Sequence, residues 1–211
     1  MEKTTFDFGY GPVPAHQHAN GGGWVAETAY VADTAFVGSE ARVCGNAQVY
    51  GEARVYGNAL VCDNALVCDK AQVCGNARVC GNALVCDNAL VCDKARVYGN
   101  AQVYGEARVY GNAQVYGNAQ VCDKARVYGN AQVCDKARVT TTPLVISGLE
   151  YAVTVCDNQV QIGCKTVPAT TQLSADLLPD ETCPVLRACA HTLIPLIQAH
   201  YARVQAEARH D

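Results

Sequence analysis

The sequence has no long apolar run and little net charge. No stretch approaches the roughly 18 unbroken apolar residues that a membrane-spanning helix needs. The start, MEKTTFDFGY, lacks the basic and then apolar layout of a signal peptide. The formal net charge of −4 over 211 residues argues against nucleic-acid binding by bulk electrostatics. We therefore expect a cytoplasmic protein whose partners include neither membranes nor nucleic acids.

Cysteine is abundant, but its distribution does not indicate a disulfide scaffold. Nine of the 13 cysteines occupy one slot of a sequence repeat and alternate there with tyrosine. A slot that accepts either residue is not a covalent framework, and the odd total argues the same way.

The repeat has a period of six residues and no insertions. A valine occurs at every sixth position from Val25 to Val139, twenty in all, and an alanine follows four residues later from Ala29 to Ala137. Written from the valine, the unit is V-[YC]-[GD]-[NKE]-A-[QRL] after the earliest repeats. Internal repeats take precedence over local propensity, so this spacing governs the fold.

The repeat predicts a short strand followed by a corner. Alanine and valine lie two residues apart, so both face inward, while the residue between them and the Tyr or Cys face outward. The Gly-Asn or Asp-Lys pairs tolerate left-handed backbone angles and suit a corner. Three such strands per turn give a mainly β, triangular solenoid with 18 residues per coil and about six to seven parallel coils.

The hexad carries a family resemblance. The spacing of Val97 with Ala101, or Val115 with Ala119, is similar to the hexapeptide repeat of left-handed β-helix proteins, which include trimeric acyltransferases and γ-class carbonic anhydrases. The resemblance covers residues 24–142 and implies a left-handed coil and a homotrimer. More narrowly, GYGPVPAHQHANGGGWVAETA followed by ARVYGNAQVYGNA looks like bacterial and prophage-encoded hexapeptide-repeat proteins.

The catalytic residues of that superfamily are missing from the repeat. Its acyltransferases use a histidine on or beside the helix, often with a protruding loop, and its carbonic anhydrases bind zinc through three histidines. This sequence has no histidine between positions 19 and 190. We expect no catalytic residue, metal or cofactor, and a non-enzymatic scaffold that binds or sequesters a protein or small molecule. The alternative is a hexapeptide-type acyltransferase with a site at a subunit interface that uses His16, His18 or His191.

Two outward slots bear on binding. When the residues that follow the repeat valines are read at intervals of 18, one column begins Cys44, Cys62, Cys80. The favoured interpretation is a structural ladder of like side chains. The alternative is a site for a soft metal or a disulfide. In the slot before valine, leucine replaces Gln or Arg at four positions, which predict an oligomer interface centred on the stacked Leu66 and Leu84. The four are Leu60, Leu66, Leu84 and Leu90. Repeat drift on a free surface is the alternative.

The N-terminal segment 1–23 lies outside the repeat and predicts a cap. An open solenoid end exposes strand edges and core, so a cover is needed. The sharper alternative is a ligand site made by His16, His18, Asn20 and Trp24 beside a glycine-rich turn.

The C-terminal segment 143–211 predicts a small α+β module. It contains three candidate strands, from Leu144 to Ile146, Tyr151 to Cys156 and Gln159 to Cys164, with a tight turn at CDNQ. A helical apolar stripe follows, with Pro195 as a kink or break. A packed core is favoured over a zinc cluster of Cys156, Cys164, Cys183, Cys189 and His191, because no pair has Cys-x2-Cys spacing.

The solenoid hypothesis predicts how the chain responds to deletions. Removing 18 repeat residues keeps every outward column in register, so we expect the protein to fold. Removing one residue exchanges inside and outside beyond the cut, so we expect loss of the fold. Circular dichroism and thermal melting compare the two variants, and similar behaviour would refute the solenoid.

Overall fold

The chain folds into a triangular solenoid of stacked parallel strands. The computed structural model describes residues 4–146, 153–162, 165–168, 194–203 and 206. Each solenoid strand pairs with the strand 18 residues away, as Leu66 does with Leu84 and Val67 with Val85. The predicted mainly β solenoid with 18 residues per coil is therefore confirmed.

The parallel strands form three faces, named here in chain order. The first face contains Trp24–Ala26, Arg42–Val43, Leu60–Val61, Arg78–Val79, Arg96–Val97, Gln114–Val115 and Gln132–Val133. The second face contains Tyr30–Val31, Gln48–Val49, Leu66–Val67, Leu84–Val85, Gln102–Val103, Gln120–Val121 and Arg138–Val139. The third face contains Phe36–Val37, Arg54–Val55, Gln72–Val73, Leu90–Val91, Arg108–Val109 and Arg126–Val127.

Valine and alanine fill the interior. The inward valines from Val37 to Val139 are all 0 % exposed, and the alanines that precede the strands are buried with them. Burying one valine stabilises the fold by about 1.5 kcal/mol or more, so the repeated core offsets the ordering of a long backbone. Only the first coil is less complete, because Ala29 and Val31 are partly exposed beside the edge of the second face.

The corners adopt the predicted left-handed conformation. From Gly45 to Asp135, every third residue of the hexad, glycine or aspartate, has a φ between 56° and 72°. Aspartate also ties coils together, since the Asp63 carboxylate accepts the backbone N–H of Gly81 at 2.9 Å. One corner column carries an amide ladder in which each Asn Nδ2 donates to the next Asn Oδ1 at 3.1 to 3.3 Å. Its members are Asn46, Asn64, Asn82, Asn100 and Asn118.

A hairpin of the chain itself covers the N-terminal end. Thr5–Asp7 and Pro12–Gln17 pair antiparallel, and the second of these strands also pairs with Trp24–Ala26 on the first face. The segment after the hairpin then crosses to the third face, where Gly23 N donates to Val37 O at 2.9 Å and Val37 N donates to Asn20 O at 3.0 Å. The open strand edges of the first coil are thereby partly paired.

An antiparallel sheet covers the C-terminal end. Its strands are Leu144–Ile146, Val153–Val155, Gln159–Ile162 and Lys165–Pro168, in that order. The second strand ends at Val155 and not at the predicted Cys156, and the fourth strand was not predicted. The predicted strand residues 151, 152, 163 and 164 lie outside the described residues. The tight turn is confirmed, since Cys156 N donates to Gln159 O at 2.8 Å.

The two faces of this sheet have different partners. Val153, Val160 and Ile162 form a small apolar core with Ile197 of a helix at residues 194–203. The opposite face is polar and meets the last coils, where Thr154 Oγ1 accepts the N–H of Gln132 at 3.3 Å. Pro195 lies within the described helix. No helix among the described residues is long and apolar enough to cross a membrane.

The corner geometry predicts a difference between two glycine substitutions. Gly99 has φ +71°, and a Cβ there would lie 3.0 Å from Gly117 N, whereas Gly129 has φ +65° and nothing within 4 Å. Both Gly99→Ala and Gly129→Ala incur about 1–2 kcal/mol of left-handed strain. We expect Gly99→Ala to lower the melting temperature further, because it also crowds the next coil. Equal losses in thermal melts would contradict this role of the contact.

Candidate functional site

His18 and Asn20, two of the four residues predicted to bind a ligand, are bonded to one backbone oxygen. His18 is 5 % exposed, and its Nε2 donates to the carbonyl of Ala35 at 3.1 Å. Asn20 Nδ2 donates to the same carbonyl at 2.9 Å. Together they fasten the segment that crosses the end of the solenoid to the third face.

The other two residues have separate partners. His16 is exposed, and its Nδ1 lies 2.7 Å from Glu27 Oε1. The Trp24 ring stacks on Phe6 with centroids 4.6 Å apart. No group among the described residues contacts all four side chains, and each of the four has a structural contact. Their ligand-binding role stays a prediction.

The four predicted interface leucines lie on three different faces. Leu60, on the first face, is 7 % exposed and packs with Phe8 and Ala15 of the N-terminal hairpin. Leu66 and Leu84 stack in register on the second face, and Leu90 lies on the third face. They therefore do not form one patch, and Leu66 with Leu84 is the only adjacent pair among them. The oligomer interface itself stays a prediction.

Cys44, Cys62 and Cys80 stack at the corner that follows the first face. The sulfurs of Cys62 and Cys80 lie 2.7 Å apart, although adjacent strands of a sheet are spaced about 4.8 Å apart. The backbones are fixed, since Cys44 N donates to Val61 O and Cys62 N donates to Val79 O, both at 2.9 Å. The side chains therefore converge on one another from rigid positions.

Hydrogen bonding polarises this column. The hydrogen bond from Cys62 lowers the pKa of Cys44 to about 7 and also lowers the pKa of Cys80. The same contacts raise the pKa of Cys62. On the third face, burial raises the pKa of Cys92 to about 11. Stacking thus does not by itself activate a thiol.

A shallow groove of about 250 Å³ lies beside Cys80. Its walls include Arg78, Arg96 and Tyr98. The two arginines are neighbours in register on the first face, and the Tyr98 ring stacks on Tyr116 with centroids 5.0 Å apart. This arginine pair was not among the residues predicted from the sequence. Reading the residue before each valine of the first face at intervals of 18 would have revealed the pair.

Of the five candidate zinc ligands in the C-terminal segment, one, Cys156, lies within the described residues. Cys156 is 0 % exposed and belongs to the valine core of the solenoid. The other proposed zinc ligands, Cys164, Cys183, Cys189 and His191, lie outside the described residues. The burial of Cys156 gives it a structural role at the end of the core.

The repeats match a known family model. The model, described as YdcK Beta solenoid repeat, matches residues 47–63, 53–69, 71–87, 95–111, 101–117 and 119–135. Each match spans about one coil, and the matches start at positions that differ by multiples of six. They cover less than half of the chain, so the similarity describes the solenoid. The expected resemblance to β-solenoid repeat proteins is confirmed. A comparison with curated proteins found no match to the chain.

The contacts of the two histidines predict unequal effects on stability. His18→Ala removes a buried hydrogen bond and leaves a hole, so we expect a loss of about 1–2 kcal/mol and faster amide exchange in the N-terminal hairpin. His16→Ala removes an exposed ion pair and should have little effect. Hydrogen-exchange mass spectrometry and thermal melting distinguish the variants. Identical protection in both would show that His18 does not hold the cap.

Proposed function

We propose that the chain is a non-enzymatic scaffold that assembles with copies of itself through the second face and holds a partner protein or small molecule. The observation that carries this proposal is that both ends of the solenoid are covered by the chain itself. A covered end resists end-to-end addition of further coils, so the side faces remain as the extended surfaces for binding.

The regularity of the coils supports a scaffold. Between Val25 and Val139, all of which the structure describes, no loop leaves the solenoid to build a pocket around a catalytic group. The hexapeptide acyltransferases that the repeat resembles often carry such a loop. Of the two described histidines at the N-terminal end, His18 is bonded to Ala35 O and His16 to Glu27.

The second face supports self-association. Its outward column has Leu66 and Leu84 in direct register, with Gln48 before them and Gln102 after them. Two stacked leucines on a flat face gain from being covered by another apolar surface. The resemblance to trimeric hexapeptide-repeat proteins supports three-fold symmetry. The resemblance to prophage-encoded proteins supports a role in sequestering a partner.

A charge substitution on the second face tests the assembly. We expect Leu66→Glu with Leu84→Glu to reduce the mass from an oligomer, expected to be a trimer, to the 22.4 kDa monomer in multi-angle light scattering. Gln114→Glu with Gln132→Glu on the first face is the control, because it adds the same two charges at the same 18-residue spacing outside the proposed interface and should leave the mass unchanged.

Two results would overturn the proposal. An unchanged mass in the leucine variant would remove the second face as the interface. An acyl-transfer activity of the wild-type protein that disappears in His16→Ala or His191→Ala, with the fold intact, would replace the scaffold with the acyltransferase.

A further inference from the structure

The corner after the first face carries a cluster of metal-binding groups that self-association does not use. The sulfurs of Cys62 and Cys80 and a carboxylate oxygen of Asp63 all lie within 4.8 Å of one another. Thiolates with a carboxylate suit a thiophilic cation such as zinc. The cluster follows from the repeat, since Asp63 comes directly after Cys62, and Cys80 stands one coil later.

The two sulfurs can reach the separation that a zinc ion requires. A Zn–S bond is about 2.3 Å, so two thiolates on one tetrahedral zinc lie roughly 3.8 Å apart. The Cys62 and Cys80 sulfurs are at 2.7 Å, and their strands are about 4.8 Å apart. A small rotation of each side chain, with no backbone movement, therefore passes through the required separation.

The position is rigid and partly shielded. Cys62 N donates to Val79 O at 2.9 Å and Cys80 N to Val97 O at 3.0 Å, so the ligands are held on the ladder. On the other side, Cys62 packs against the cluster that includes Phe8 and Leu60. This apolar cover lowers the local dielectric and disfavours uncompensated thiolates, which a bound cation would neutralise.

The charges and the supporting groups are also suitable. One Asp63 oxygen, Oδ2, accepts the N–H of Gly81 at 2.9 Å, which orients the carboxylate as supporting hydrogen bonds do around metal ligands. Two thiolates and a carboxylate exceed the charge of a divalent cation by one, and Arg78 lies beside Cys80 to balance it. The groove next to Cys80 gives an access route.

We propose that Cys62, Asp63 and Cys80 bind a thiophilic divalent cation of the zinc type. Cys44, 18 residues before Cys62 in the same column, stands beside the site as a further thiol. A second group, Cys68, Asp69 and Cys86, repeats the donor set at the next corner but has tyrosine, Tyr50, in the place of the third thiol.

The third face supplies a matched control. Cys74 and Cys92 stand on neighbouring coils with the same 18-residue spacing as Cys62 and Cys80. The residue after Cys74 is Gly75, so this pair has no carboxylate in the equivalent position, and it forms no such group among the described residues. A change at this pair removes two stacked thiols without touching the proposed site.

The experiment counts bound metal. The full-length protein is stripped with a chelator under a phosphine reductant, loaded with zinc and dialysed, and zinc per chain is measured by elemental analysis. We expect Cys62→Ala with Cys80→Ala to lower the count by one relative to wild type, and Cys74→Ala with Cys92→Ala to leave it unchanged. Asparagine tolerates the left-handed corner, so Asp63→Asn should keep the fold. We expect it to lower the affinity for zinc at least tenfold, as measured by competition with a chromogenic chelator.

A second measurement needs no variant. Zinc should slow alkylation of Cys62 and Cys80 in the wild-type protein and leave Cys74 and Cys92 unaffected, as read by peptide mass spectrometry. The proposal is overturned if wild-type protein retains no zinc after dialysis, or if the two double variants lose zinc equally. It is also overturned if zinc protects none of these thiols, or if Cys62 and Cys80 prove to be joined in a disulfide that the phosphine does not reduce.

Discussion

Backbone hydrogen bonds between residues 17 positions apart set the position of every side chain in the solenoid. Arg78 N donates to Ala95 O and Cys80 N donates to Val97 O, both at 3.0 Å, and the same pair of bonds recurs from coil to coil. Because this ladder fixes the backbone, a residue type that recurs every 18 positions becomes a column of touching side chains. Amide, tyrosine and thiol columns are all consequences of that one register.

The same ladder creates a problem at each end, because a coil without a neighbour has backbone groups without partners. At the C-terminal end, the side chain of Asn158 acts as a substitute for the missing coil. Its Oδ1 accepts the N–H of Arg138 at 2.8 Å, and its Nδ2 donates to the carbonyl of Lys136 at 2.9 Å. Asp157 accepts from Thr140 in the same way. His18 and Asn20 perform the corresponding task at the other end.

The repeat could be predicted from sequence because inward and outward positions are separated by identity as well as by spacing. Every inward residue is Val or Ala, and every corner from Gly45 onward is Gly or Asp, so no tertiary information was needed. The turn at Asp157 and Asn158 was recognisable for the same reason, since its residues favour tight turns.

The ends and the side surfaces could not be predicted as fully, because their contacts join residues that are distant in sequence. Gln159 and Thr154 look like ordinary surface residues of a strand, yet they lie against the last coils. Leu60 looked like its neighbours Leu66 and Leu84 until the N-terminal hairpin was seen to cover it. The convergence of Cys62 and Cys80 depends on side-chain rotation, on which spacing gives no information.

The amide column at the Asn46 corner has a further property that depends on side-chain orientation. Each of its first four amides donates to the next, so reversing one amide inside the column would place two donors face to face on one side and two acceptors face to face on the other. The five side chains can therefore reverse only together, and this corner behaves as a single two-state dipole aligned along the axis of the solenoid.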